Sequence, residues 1–163
     1  MFQVGLSESP VGPLLIVGTD QGLEQIRLNC DALAAGRERS GHPLAILAVQ
    51  QLQAWFAGRL QHFDLPLTPR GTDFQQQVWT ALQQIPWGTT TSYGQIARAI
   101  GRPQACRAVG LANGRNPLPI LIPCHRVIGS NGTHTGYAGG VARKAALLAH
   151  ENSGRTMHHA SPT

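Results

Sequence analysis

Apolar residues follow two different rhythms along this chain. Up to Leu28 they come in short runs, Phe2 to Leu6, Leu14 to Val17 and Leu23 to Leu28, parted by Pro10-Val11-Gly12-Pro13 and Asp20-Gln21-Gly22. Short apolar or alternating runs bounded by Gly and Pro predict a small antiparallel sheet. The spacing then lengthens. Leu44, Leu47, Leu52, Trp55 and Phe56 fall broadly on one face of a helix expected over Pro43 to Ala57, with Gly58 at its end. Thr68-Pro69-Arg70-Gly71 punctuates the chain and predicts a boundary between 1–70 and 71–152.

Beyond that boundary the helical period dominates. Thr72-Asp73-Phe74-Gln75 fits a capping box, and Phe74, Val78, Leu82 and Ile85 recur at helical spacing until Pro86-Trp87-Gly88 stops the helix. Ser92-Tyr93-Gly94-Gln95 fits a second capping box and opens a helix through Ile96, Ala97 and Ile100. Gly101-Arg102-Pro103 turns the chain, and Pro103 suits the first position of a helix running through Cys106, Arg107, Val109 and Ala112 to about Asn113. Two short helices joined by a glycine-containing turn have the form of a helix-turn-helix whose second member is the recognition helix, a form that many ordinary helical hairpins share. Gly140 to Glu151 reads as the last helix, with Val141, Ala145 and Leu148 facing inward, and residues 153–163 as a loose polar tail. There is no internal repeat.

Charge separates the two parts further. The 163 residues carry a net charge of +5, but residues 1–70 hold five arginines against six acids, whereas the rest holds seven arginines and Lys144 against only Asp73 and Glu151. Arginine's planar fork suits phosphates and stacks on bases, so the basic part reads as a nucleic-acid surface, although solvated arginines would give the same composition. No apolar run approaches membrane-spanning length, and Met1-Phe2-Gln3-Val4 lacks the basic start of a secretion signal. Cys30, Cys106 and Cys124 are an odd count without metal-ligand spacing, and Cys30 with His42 or His62 makes no four-ligand set. A reducing compartment, the cytoplasm by default, is expected, with no metal and no cofactor.

The chemistry concentrates in Pro123-Cys124-His125-Arg126, a thiol beside an imidazole just after the apolar run Leu118 to Ile122. A cysteine with a pKa near 8.5 is only about 3% thiolate at neutral pH, so full activation is worth about 2 kcal/mol, within reach of a neighbouring histidine or a positive field. Gly129, Gly132, Gly136, Gly139 and Gly140 follow, where backbone can approach a ligand closely. A buried inert cysteine is the competing reading of Cys124 taken alone.

The run Pro119 to Gly129 resembles the active-site signature of the O6-alkylguanine-DNA alkyltransferases, also called methylated-DNA–protein-cysteine methyltransferases. Arg107-Ala108-Val109-Gly110, Asn116-Pro117, Gly136-Tyr137-Ala138-Gly139-Gly140 and the opening Ser9-Pro10-Val11-Gly12-Pro13-Leu14 extend the likeness over nearly the whole chain. The resemblance implies an α/β (α+β) fold: a small antiparallel-sheet, ribonuclease-H-like amino-terminal domain and a helical, winged-helix or helix-turn-helix carboxy-terminal domain. It also implies suicide repair, in which O6-alkylguanine, and O4-alkylthymine with it, is flipped from duplex DNA and its alkyl group moves irreversibly to Cys124.

By position in that signature, His125 would act as base through a bridging water, Glu151 would orient the imidazole, and Tyr93 would protonate the departing base. Asn116 would be the hinge tying the recognition helix to the cysteine. Arg107 would fill the gap left by the flipped base, with Ala105, Ala108 and Gly110 letting the helix press against the minor groove and Arg126 joining the DNA contacts. Val127, Tyr137, Ala138 and Gly139 would form the base pocket, Val127 through its carbonyl. Ala138 stands where many relatives carry serine, so the backbone N–H is kept and a hydroxyl contact is lost. The expected partner is double-stranded DNA containing O6-alkylguanine. The protein is expected to be a monomer, able to load cooperatively on DNA, with no membrane association. A DNA-binding regulator would leave the Pro-Cys-His-Arg pocket unexplained. A non-catalytic lesion binder would have lost Cys124. A cysteine hydrolase would usually draw its histidine from far along the chain.

Overall fold

The computed structural model describes residues 1–6, 8–28, 41–129 and 140–160. The chain forms two compact units, Met1–Arg70 and Gly71–Thr163. No described helix is long and apolar enough to cross a membrane.

In the first unit, β1 (Phe2–Leu6), β2 (Leu14–Thr19) and β3 (Gly22–Leu28) form an antiparallel sheet in the order β1-β2-β3. Val4 pairs with Ile16 and Ile16 with Ile26, so these side chains share the core-facing side, and all three are buried. A register shift at Val17/Gly18 lets Gly18 pass under Phe2; a Cβ there would lie 2.6 Å from the ring. Helix α1 (Pro43–Phe56) starts with Pro43 in its first turn, and His42 caps it by accepting from the Leu44 N–H. Its buried face is Ala45, Ala48, Leu52 and Trp55, while Leu47 is 40% exposed. The expected leucine stripe is therefore rotated: the two alanines face inward, where small side chains let the helix approach β1 and β2 closely. Cys30 lies outside the described residues.

The second unit opens with α2 (Asp73–Leu82), and both bonds of the Thr72/Gln75 capping box are present. The helix stops a turn before Pro86, and Ile85 is buried in the turn that follows. Trp79 is buried and donates from Nε1 to the carbonyl of Ala112 at 2.9 Å. Then come β4 (Thr91–Ser92), α3 (Tyr93–Ala99) with the Ser92/Gln95 capping box, and α4 (Cys106–Gly114). Pro103 does not start α4. It lies in a turn closed by the Ala105 N–H on the Arg102 carbonyl, second in the turn, where a fixed φ is favoured. Helix α4 packs against both α2 and α3.

A short 3-10 turn, Cys124–Arg126, leads into β5 (Val127–Ile128), which pairs parallel with β4. This pairing ties the cysteine segment to the start of α3. The last helix, α5 (Val141–Ala160), continues past Glu151 through part of the expected loose tail; Pro162 is the first proline after Pro123. Its inward face is Lys144, Leu147 and Glu151, whereas Val141 is 59% exposed and Ala145 is exposed. Two charged residues occupy the face that hydrophobic periodicity assigns to Val141, Ala145 and Leu148.

Candidate active site

The segment Leu118 to Val127 is buried throughout. Ile120 has φ of 76°, the one non-glycine positive φ among the described residues, a conformation that costs a β-branched side chain about 1–3 kcal/mol. Asn116 holds that turn by both ends of its amide. Its Nδ2 donates to the Ile122 carbonyl at 2.8 Å and its Oδ1 accepts from the Leu118 N–H at 2.9 Å. Replacing Asn116 by alanine would strand the buried Leu118 N–H, at about 1–3 kcal/mol, and leave the Ile122 carbonyl with the Cys124 N–H alone. A urea midpoint lowered by that amount, with the slope unchanged, is the expected result.

Cys124 is 2% exposed. Burial pushes its thiol up to about 11, against a hydrogen bond from Asn116 and the charge of Lys144, both of which favour the thiolate. The positive field expected from the sequence is present, but desolvation outweighs it, and the resting group is a thiol.

His125 is fully buried, its Nε2 2.9 Å from Glu151 Oε2. Burial holds the imidazole below its ordinary value, although Glu151 pulls the other way. Burial alone would raise the Glu151 carboxyl; hydrogen bonds from His125 and Arg126, with their charges, outweigh it and hold the carboxyl below the usual range. With Nε2–H directed at an ionised Glu151, the basic nitrogen of the neutral ring is Nδ1.

Arg126 is not on the surface. It is 7% exposed, its Nε lies 3.0 Å from both Glu151 oxygens, its Nη2 2.6 Å from Oε2, and its Nη1 donates to the Ile85 carbonyl at 2.8 Å. A guanidinium committed in this way has no fork to offer a phosphate, which corrects the expectation that it contacts DNA. Its contacts instead fix the carboxylate that holds His125.

The expected DNA-facing residues divide by exposure. Arg107 and Ala108 are exposed on α4, and Ala105 and Gly110 are half-buried. Tyr93 is half-buried at the first position of α3, its ring beside Gly110; a Cβ on Gly110 would meet it at 3.9 Å. Val127 is buried, and Tyr137, Ala138 and Gly139 lie outside the described residues.

Two residues to which the sequence assigns no role in the site stand in it. Lys144 is fully buried and donates from Nζ to the Val127 carbonyl at 2.6 Å. Asn113 is 1% exposed, and its Nδ2 reaches the Cys124 carbonyl at 3.4 Å. Both left a trace: Lys144 is the sole lysine and stands seven residues before Glu151, on one helical face with it, while Asn113 precedes Asn116 by one turn.

The family model for the DNA-binding domain of 6-O-methylguanine DNA methyltransferase matches residues 73–153, and the model for that family's ribonuclease-like domain matches residues 4–69. The chain belongs to the 6-O-methylguanine DNA methyltransferase family. Within this family it is similar to the methylated-DNA–protein-cysteine methyltransferase of Mycobacterium bovis, 53% identical over 90% of both chains. It is 47% identical to the Methanosarcina acetivorans methyltransferase of the same name, over 90% of this chain and 96% of that one. The crystal structure of Mycobacterium tuberculosis O6-methylguanine methyltransferase superposes with a TM-score of 0.82 at 49% identity, covering 93% of each chain. The Mycobacterium tuberculosis OGT in complex with DNA matches at a TM-score of 0.82 and 47% identity, covering 94% of each chain. In this methyltransferase the site from Tyr93 to Glu151 falls wholly inside the match to the DNA-binding domain.

Proposed function

We propose that this DNA-repair methyltransferase flips O6-alkylguanine out of duplex DNA and moves the alkyl group onto Sγ of Cys124 in a single turnover. The observation that carries the reading is the buried Cys124 beside His125, with that imidazole held by Glu151, itself fixed by Arg126. Named relatives of the same family, and a similar structure solved with DNA, support the substrate class.

In the reaction, sulfur attacks the alkyl carbon while the bond from that carbon to O6 breaks. The thiol must give up its proton as the C–S bond forms, since burial holds it protonated at rest. Neutral His125 takes that proton, through a bridging water, and Glu151 stabilises the imidazolium that results. The departing guanine gains a proton from Tyr93; solvent then reprotonates the phenolate while His125 gives its proton up to solvent, so the net transfer is of one proton to the base and of the alkyl group to sulfur. A thioether has no hydrolysable bond of comparable reactivity, so the site is spent.

Exposed Arg107 on α4 fills the space left by the flipped base, whose extrusion costs a few kcal/mol. Replacing Arg107 by alanine is expected to slow transfer from duplex DNA by about tenfold and leave the melting temperature unchanged. Arg126→Ala is expected to lower the melting temperature, because it leaves Glu151 buried without its main partner. The reading itself is tested by titrating the protein with excess duplex carrying one O6-methylguanine. Restored guanine should plateau at one per protein chain; continued turnover, or no restored guanine, would overturn it.

A further inference from the structure

Helix α4 has two unlike faces. Val109, Ala112 and Asn113 are buried, whereas Arg107, Ala108, Leu111 and, at the C-cap, Arg115 are exposed. Arg107, Leu111 and Arg115 recur every four residues, so their side chains line up along one ridge. Leu111 is 65% exposed; among the described residues of the second unit Val141, at the start of α5, is the one other exposed large apolar side chain. A surface leucine standing by itself is ordinary. This one stands between two arginines, on the ridge that carries Arg107, and no aspartate or glutamate occurs from Phe74 to His150. The ridge is therefore cationic at both ends and apolar in its middle, which complements a polyanion with apolar walls.

We propose that Leu111 is an apolar anchor of the DNA complex: its side chain packs on the deoxyribose faces of the duplex groove that α4 enters. This rests on the reading above, in which α4 meets DNA through Arg107. A leucine carries no polar side-chain atom, so it pairs with neither a phosphate nor the polar edge of a base. The apolar surfaces open to it in a duplex groove are the sugar C–H faces and, in the major groove, the thymine methyl. A sugar is present at every nucleotide, so contact with it carries no sequence preference and serves a protein that must act wherever a lesion lies. The leucine gives nothing to the fold in return, because its side chain faces solvent and alanine is the better helix former.

The test measures the affinity of the intact protein, Leu111→Ala and Leu111→Met for two undamaged duplexes, one A·T-rich and one G·C-rich, over a range of salt. Leu111→Ala should bind both duplexes about tenfold more weakly, the loss of most of one leucine's apolar contact. The dependence of log K on log salt should keep its slope, because an apolar contact releases no counterion. Leu111→Met, close in volume and polarity, should bind as the intact protein does, and all three proteins should melt at the same temperature. Unchanged affinity in Leu111→Ala, or a changed salt slope, would overturn the anchor. So would a loss confined to the A·T-rich duplex, which a thymine methyl would give, or self-association without DNA that Leu111→Ala abolishes while DNA affinity stays the same. Each of these leaves alkyl transfer standing, since restored guanine reads it separately. Failure of the intact protein to bind either duplex would instead remove the reading beneath the proposal.

Discussion

His125→Ala is expected to slow methyl transfer by about 10²–10⁴-fold at pH 7, the usual worth of a positioned general base. The pH profile should change with it. In the intact protein, burial holds His125 below its ordinary value of 6.5, so the imidazole is neutral and competent throughout the neutral range. Transfer should be flat from about pH 7 to 9, because the base removes the thiol proton during attack and no prior ionisation is needed. Without His125 the reaction depends on the small thiolate fraction of a group pushed up to about 11, and the rate should climb about tenfold per pH unit toward that value. Single-turnover rates measured between pH 6.5 and 10 on both proteins check this. A rising profile in the intact protein would show that His125 does not take the proton.

Glu151→Ala should be the most destabilising single change in the site, at about 3–5 kcal/mol, because it leaves the buried Arg126 guanidinium uncompensated. The pair Glu151→Gln with Arg126→Met, which removes both charges, should recover much of that loss while transfer stays slow, separating stability from catalysis. Urea midpoints and transfer rates on the same samples read the two effects. Acid should imitate the single change. Both folded-state shifts are downward, so their stabilisation is complete above the unfolded values of 6.5 for His125 and 4.5 for Glu151. It is lost as pH falls, first through the window where the unfolded chain protonates its histidine, then as the carboxyl is titrated. Stability that rose on acidification below pH 6 would contradict the buried neutral imidazole and ionised carboxylate.

The parts of this fold that local chemistry decides could be read directly. Thr72/Gln75 and Ser92/Gln95 each make a capping box that needs no tertiary contact to form, and both helices begin where those residues stand. The three strands of the first unit follow from apolar runs cut by Pro and Gly. Cys124, His125, Glu151 and Asn116 stand out in the sequence because their motif is contiguous or carried by a family signature, and the fold places His125 on Glu151 and Asn116 on the turn before Cys124. What could not be read is where charge goes underground. Composition places Arg126 and Lys144 on the basic surface because ionised groups are rarely buried alone, and in the fold both are buried, Arg126 on Glu151 and Lys144 on the Val127 carbonyl, partners from distant positions. The buried face of α5 departs from its hydrophobic pattern for the same reason. Ile120 in the left-handed region and the two-residue pairing of β4 with β5 depend on packing, which leaves no mark on periodicity.

The most direct measurement is the mass of the protein after incubation with a duplex bearing one O6-methylguanine. A gain of one CH2 per chain is expected, located on the peptide that contains Cys124, absent from Cys124→Ala and absent with undamaged duplex. Tight binding to the damaged duplex with an unchanged mass, or a methyl group found on Cys106 instead, would contradict alkyl transfer to Cys124.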